Sequence, residues 1–287
     1  MERQGSRTSK WVGRLLRALG YATAAFVFWL LAVWPPPSWY RLRFPQETAF
    51  MAMRRRAGSG GPEHRYQPVA LDRIAASMHD AVIVAEDQRF YAHDGLDFQA
   101  IREAMGYRRD SFAWAEPADR AELQRALGSA WSRRDRMRGA STITQQLAKN
   151  LYLSPSRNPL RKLKEAVTAY RLEAALSKRR ILELYLNVVE LGPEVWGVEA
   201  ASRAYFRRPA SGLSAEQGAL LAATLPSPLR ANPGLRPGRI RWRQDLILRR
   251  MRGERVVIPP PEAELPDLPP ILPIKLDTIV PPVDTGR

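Results

Sequence analysis

The feature that most constrains this chain is a run without a charged residue, Ala18 to Tyr40, directly behind a basic segment. In residues 1–17, Arg3, Arg7, Lys10, Arg14 and Arg17 stand against a single acid, Glu2. The apolar core of the run, 18–34, is at the short end of what crosses a bilayer as a helix. Trp29, Trp34, Trp39 and Tyr40 gather toward its far end, as an interfacial aromatic belt does. Residues 18–40 are therefore read as a transmembrane anchor and 1–17 as a cytoplasmic basic segment. Everything after Arg41 is then expected outside the cytoplasm, because basic flanks stay inside. A cleaved signal peptide is the competing reading, but Ala32-Val33-Trp34-Pro35 lacks the small-residue pair a signal peptidase needs. A buried soluble helix fits poorly with arginines on one flank only.

The remainder is long enough for one large domain or two modest ones, and a 45% hydrophobic content can supply a core. The net charge of +16 predicts attraction to polyanions: nucleic acid, anionic headgroups or a phosphate-bearing substrate. An anchor that exports those charges argues against nucleic acid. With no cysteine, disulfides and thiolate metal sites are excluded.

Residues 35–70 read as an extended connector, broken by Pro35-Pro36-Pro37 and Gly58-Ser59-Gly60-Gly61. Beyond Leu71 the spacing turns helical, with Ile74, Met78, Ala81 and Val82 on one face. A long helix is expected from Pro159, with Leu163, Ala166, Val167, Tyr170 and Ala174 as its apolar face. Ser177 is placed to cap a second helix through Ile181–Leu186, and Leu213–Leu225 reads as another, closed by Pro226 and Pro228. Strand alternation is scarce, so the domain at 41–255 is expected to be mainly α. Residues 256–287 hold nine prolines and read as a Pro-rich tail, extended or without regular structure.

Three constellations carry chemistry. Glu86-Asp87 follows the apolar run Ala81–Ala85 and opens a stretch containing Phe90, His93 and Gly95. Taken alone, such an acidic pair marks a helix end meeting water. Against an apolar wall, however, a carboxylate gains proton affinity and can act as a general base. The second is Gly139-Ala140-Ser141-Thr142-Ile143-Thr144-Gln145-Gln146, followed by Lys149. Composition makes it a helix capped by Ser141 with Gln145, Gln146 and Lys149 solvated. The functional alternative is a wall of hydroxyls and amides for a sugar, with Lys149 as a point charge for phosphate. The third is Arg161-Lys162-Leu163-Lys164-Glu165, where cations at a helix N-terminus oppose the macrodipole. A bound diphosphate would account for them, and Glu165, held among cations, would be ionised rather than a proton donor.

Together and in this order the motifs resemble the peptidoglycan glycosyltransferases (glycosyltransferase family 51), of the monofunctional biosynthetic transglycosylase type. The pattern Glu-Asp-x-x-Phe-x-x-His-x-Gly is met by Glu86, Asp87, Phe90, His93 and Gly95; Gly-x-Ser-Thr-Ile-Thr-Gln-Gln by Gly139 and Ser141 to Gln146; Arg-Lys-x-x-Glu by Arg161, Lys162 and Glu165. Ile181–Asn187, Gly197–Ala201, Tyr205-Phe206 and Leu220–Pro226 follow, and the resemblance spans about 45–252. It departs from the family in a long insert at 102–138 and in the tail, and no Ser-x-x-Lys motif of a transpeptidase half is present.

The resemblance implies a lysozyme-like two-lobed fold after the anchor and a lipid II polymerase of the bacterial inner membrane, with its catalytic domain in the periplasm. Lipid II would serve as donor and acceptor, the growing glycan strand and other cell-wall synthesis proteins as partners. It further implies Glu86 as general base and Glu165 near the leaving diphosphate. Ser141, Thr142, Gln145, Gln146, Lys149, Arg161 and Lys162 would bind substrate. Phe90, His93 and Asn187 are expected as structural supports. A divalent cation, Mg2+ or Mn2+, is implied without ligands being assigned. The alternatives are a lysozyme-like hydrolase acting on finished glycan and an inactive cell-wall scaffold.

Overall fold

A computed structural model describes residues 5–58, 65–109, 111–132, 141–152 and 159–256. Gly139, part of the insert and the tail beyond Val256 therefore lie outside the described residues. Helix α1 runs Gly5–Leu31, and its Trp11–Leu31 portion, 21 residues, is long and apolar enough to cross a membrane. At the helical rise this spans about 31 Å, close to a bilayer's hydrocarbon core. The helix stops at Leu31, short of Tyr40, because Pro35-Pro36-Pro37 lock φ and supply no N–H. Pro37–Arg41 instead forms a 3-10 turn whose Tyr40 is buried in the core.

The expected extended connector at 35–70 is largely replaced by structure. Thr48 caps helix α2 (Ala49–Arg56), its Oγ1 accepting from Met51 N at 3.1 Å, over a sequence of good helix formers. Helices α3 (Ala76–Glu86), α4 (Phe98–Met105), α5 (Pro117–Ser132), α6 (Ile143–Tyr152) and α7 (Pro159–Ala175) follow. Then come α8 (Lys178–Val188), α9 (Val198–Phe206), α10 (Ala215–Thr224) and α11 (Gly238–Met251). The strands are short: β1 (Arg65–Tyr66) pairs parallel with β3 (Val195–Trp196), and β2 (Glu190–Gly192) pairs antiparallel with it. The fold is mainly α, as the scarcity of alternating sequence predicts.

Local chemistry sets the helix ends. Ser177 caps α8, and Ser214 with Gln217 forms a capping box on α10. The cap of α6 is Thr142 and not Ser141: Thr142 Oγ1 accepts from Gln145 N at 3.1 Å while Gln145 Oε1 accepts from Thr142 N at 3.0 Å. One residue's difference decides which side chains are consumed by the cap.

Helix α3 packs against α10 and α11, and α6 against α2, α7 and α8. Gly218 permits the α3–α10 approach, since a Cβ there would sit 3.2 Å from Met78 Cα. The apolar contributions merge in one cluster that includes Met78, Val82, Leu147, Leu172, Ile181 and Tyr185.

Helix α7 departs from expectation. The face chosen by apolarity points outward, with Leu163 44% and Tyr170 63% exposed, while Glu165, Thr168, Ala169, Leu172 and Leu176 point in. A carboxylate can go inward there because two cations neutralise it, as the site shows. Within the insert, α5 packs on α4, and its buried Asp119 pairs with Arg109 and accepts from Ala113 N at 2.8 Å.

Candidate active site

Glu86 is the last residue of α3, where the helix ends against α6 and α11. Its Oε2 accepts from Gln146 Nε2 at 2.9 Å, and its Oε1 lies 3.5 Å from Arg243 Nη2 of α11. The side chains of Arg243 and Glu86 are only 7% and 14% exposed. Burial pushes the Glu86 carboxyl above the usual carboxylate range, against the pull of Arg243, the Gln146 hydrogen bond and Lys149. A carboxylate with raised proton affinity is what a general base needs if it is to take a proton in earnest.

The adjacent Asp87 does different work. It accepts from Ile143 N at 2.9 Å, at the positive end of α6, and pairs with His93 Nε2 at 2.9 Å. Thr142 Oγ1 donates to the Gly95 carbonyl at 2.6 Å. Gly95 adopts φ +88°, and a Cβ there would also meet Ala169 backbone at 3.2 Å, so the turn needs glycine. Phe90 is fully buried. Asn187 donates to Val69 O and Glu183 O and accepts from Val69 N at 2.8 Å, a brace between α8 and the chain entering α3.

At the far end of α6, the Lys149 ammonium is drawn down by burial, raised by Glu165, lowered by Lys162 and Arg161, and raised by Glu86. Lys149 thus responds to both acids, and it joins Glu86 and Glu165 in one electrostatic site. Among the described residues no carboxylate comes within ion-pair distance of it. Glu165 is buried in the second turn of α7, taking Arg161 Nη1 at 2.8 Å on one oxygen and Lys162 Nζ on the other. Lys162 Nζ also donates to Ser141 Oγ at 3.0 Å, tying α7 to the start of α6. The cations opposing the α7 dipole are therefore balanced by Glu165 itself, and Lys164 sits 4.6 Å over the Trp29 ring of α1.

The sequence-predicted residues thus separate. Glu86, Gln146, Lys149, Glu165, Arg161, Lys162 and Ser141 are linked by bonds or fields. Thr142 and Gln145, 2% and 3% exposed, are drawn into the α6 cap, Thr142 through its hydroxyl and Gln145 through its amide oxygen. Sequence reasoning missed Arg243. Its signal was an arginine on the apolar stripe of α11, three residues after Ile240 and four before Ile247, all three of them buried. It also missed Glu190, buried beside Arg54 at 2.9 Å, which burial drives upward and which feels Lys149.

For the implied divalent cation, one cluster of ligating types exists among the described residues: Asp87, His93 and Asp97, whose ligand atoms lie within 4.8 Å of one another. It does not fit a metal. Asp97 is clamped by Arg89 at 2.8 and 2.9 Å and accepts from Ala100 N, while both Asp87 oxygens already receive donors. Hard cations need free oxygens and no guanidinium beside them.

Comparison with known proteins identifies the family. The transglycosylase family model matches residues 55–111 and 109–252, the two pieces meeting inside the insert. The biosynthetic peptidoglycan transglycosylase of Bordetella avium is 39% identical over 250 residues, 86% of this chain and 97% of that protein. Those of Bordetella pertussis, 43% over 217 residues (75% and 82%), and Shewanella amazonensis, 42% over 249 residues (85% and 86%), are similar. With matches of that extent and a carboxylate set beside a cation cluster, this chain belongs to the transglycosylase family, among the biosynthetic peptidoglycan transglycosylases.

Proposed function

We propose that this membrane-anchored peptidoglycan glycosyltransferase polymerises lipid II into β-1,4-linked glycan strands. The observation that carries the reading is Lys149: a largely buried ammonium with no carboxylate at ion-pair distance among the described residues, lying in the fields of both Glu86 and Glu165. Keeping an ammonium there is costly unless an anion arrives to use it, and a diphosphate supplies that anion.

In the reaction the acceptor's 4-hydroxyl attacks the anomeric carbon of the donor sugar. Glu86 takes the hydroxyl proton as the O4–C1 bond forms. The bond from C1 to the diphosphate oxygen breaks, the electron pair leaves with undecaprenyl diphosphate, and α becomes β. A diphosphate leaves with little protonation, so one base suffices where a hydrolase of this size uses two carboxylates. Lys149, Arg161 and Lys162 meet the charge that develops on the leaving group, and Glu165 holds the latter two in place. Ser141 orders Lys162, and Gln146 orders Glu86. Asp87, His93 and Asp97, the one cluster of ligating types among the described residues, do not fit the divalent cation that the family implies.

The basic residues in the N-terminal part of α1 favour an N-inside anchor, which puts the catalytic domain on the periplasmic face of the inner membrane where the lipid-tailed substrate stays. Other cell-wall synthesis proteins are its expected company.

The test is polymerisation of labelled lipid II by the purified full chain beside Glu86→Gln. Loss of a general base lowers the rate by about 10²–10⁴-fold. Equal rates in both proteins would sink the role of Glu86, and release of sugars from finished glycan would mark a hydrolase.

A further inference from the structure

Behind Glu86 the hydrogen bonding continues one residue further than the reaction requires. Tyr185 of α8 is fully buried, and its hydroxyl donates to Gln146 Oε1 at 2.9 Å. The same amide donates through Nε2 to Glu86 Oε2 at 2.9 Å. A side-chain amide has two faces, and it can turn either NH2 or oxygen toward a neighbour. With the oxygen turned to Glu86, the amide would repel a carboxylate and welcome a protonated acid. Tyr185 biases that choice: were the NH2 turned to it, the phenol oxygen could accept, but its buried O–H would lose the acceptor it has in Gln146 Oε1.

We propose that Tyr185 is a positioning residue for this reaction, holding Gln146 with its NH2 toward Glu86 so that the buried carboxylate keeps its proton-accepting form. The proposal rests on the reading of Glu86 as the base. Burial and then the charges of Glu86 and Asp87 hold the Tyr185 phenol well above its ordinary value, so it remains a donor throughout the working range. The other groups facing Glu86 are accounted for. Arg243 of α11 lies on the opposite oxygen, Lys149 of α6 acts from a distance, and Asp87 is turned to His93 and Ile143 N. Glu216, the charged residue of α10, is turned to Ser214. Arg250 of α11 donates to the Val84 carbonyl. Of these groups Gln146 is the one that changes sign toward Glu86 by rotating, and the need of the buried Tyr185 O–H for an acceptor opposes that rotation.

The experiment is kcat/KM for lipid II against pH in wild type, Tyr185→Phe, Gln146→Met and the double variant, with Glu86→Gln run in parallel. Phenylalanine fills the same ring volume. In Tyr185→Phe the acidic limb should move up by roughly half to one pH unit, the size of one hydrogen bond. Gln146→Met should move it at least as far, and the double variant no further than Gln146→Met alone. A limb that stays at the wild-type position in Tyr185→Phe overturns the proposal, as does a uniform fall at every pH or an additive shift in the double variant. Should Tyr185→Phe fail to fold by circular dichroism, Gln146→Met decides: an upward limb supports the relay and an unmoved one overturns it. Failure of the underlying reading looks different, because Glu86→Gln would then polymerise at the wild-type rate.

Discussion

Thr142→Val separates a structural threonine from a substrate-binding one. The hydroxyl makes two bonds, accepting from Gln145 N at 3.1 Å and donating to Gly95 O at 2.6 Å, in a site 2% exposed. Losing an N-cap costs about 1 kcal/mol and losing the second bond about another. Leaving the Gly95 carbonyl without its donor adds to this, for a total of about 2–3 kcal/mol. For a domain of this size that is a fall in melting temperature of roughly 5–10 °C. The assay is a thermal melt of the detergent-solubilised chain together with kcat and KM for lipid II. A lower melt and a loss in kcat are expected, because α6 carries Gln146 and Lys149, with KM little changed. Thr142→Ser should restore most of both. An unchanged melt with KM raised tenfold or more would refute that expectation and return Thr142 to the substrate wall.

Arg243→Met removes the cation 3.5 Å from Glu86, so the acidic limb of the rate profile should rise and activity at neutral pH fall; a limb that does not move excludes Arg243 from tuning the base. Glu86→Gln should melt higher than wild type at neutral pH. A folded carboxyl raised above its unfolded value is more stable protonated, so the native protein loses that contribution as pH rises. The gap between variant and wild type should accordingly narrow as pH falls through the raised folded value and be closed below the unfolded value of 4.5, and a gap that widens toward acid reverses that sign. Lys149→Met should cost about 100-fold in kcat/KM yet melt no lower, since the folded state carries a desolvated ammonium that methionine removes. A lower melt with full activity would make Lys149 a structural residue.

Much of this was legible in the chain itself. Ser177 and Pro226 bound their helices because caps and breakers act locally, and Glu86 ends its helix where the apolar run meets acids. The α7 face was misread because apolarity is a poor guide when Arg161 and Lys162 let Glu165 turn inward and leave Leu163 and Tyr170 outside. Ser141 and Thr142 differ by one position, and only geometry tells which of two hydroxyls reaches the N–H of the third helical residue. Arg243 meets Glu86 across a sequence separation of 157 residues, a pairing that no local pattern encodes. The anchor's helix ended earlier than its composition, because three prolines outrank an apolar run.

Helix α1 is fastened to the domain at its C-terminal end: Arg171 donates to the Leu31 carbonyl and Lys164 sits over the Trp29 ring, both cations belonging to α7. The same α7 presents Arg161, Lys162 and Glu165 within one turn of Lys164. The anchor is therefore a strut and not a leash. Under the proposed function it fixes how far the cations assigned to the diphosphate stand from the apolar span, so lengthening residues 32–36 would leave that distance unchanged until those two fastenings were cut.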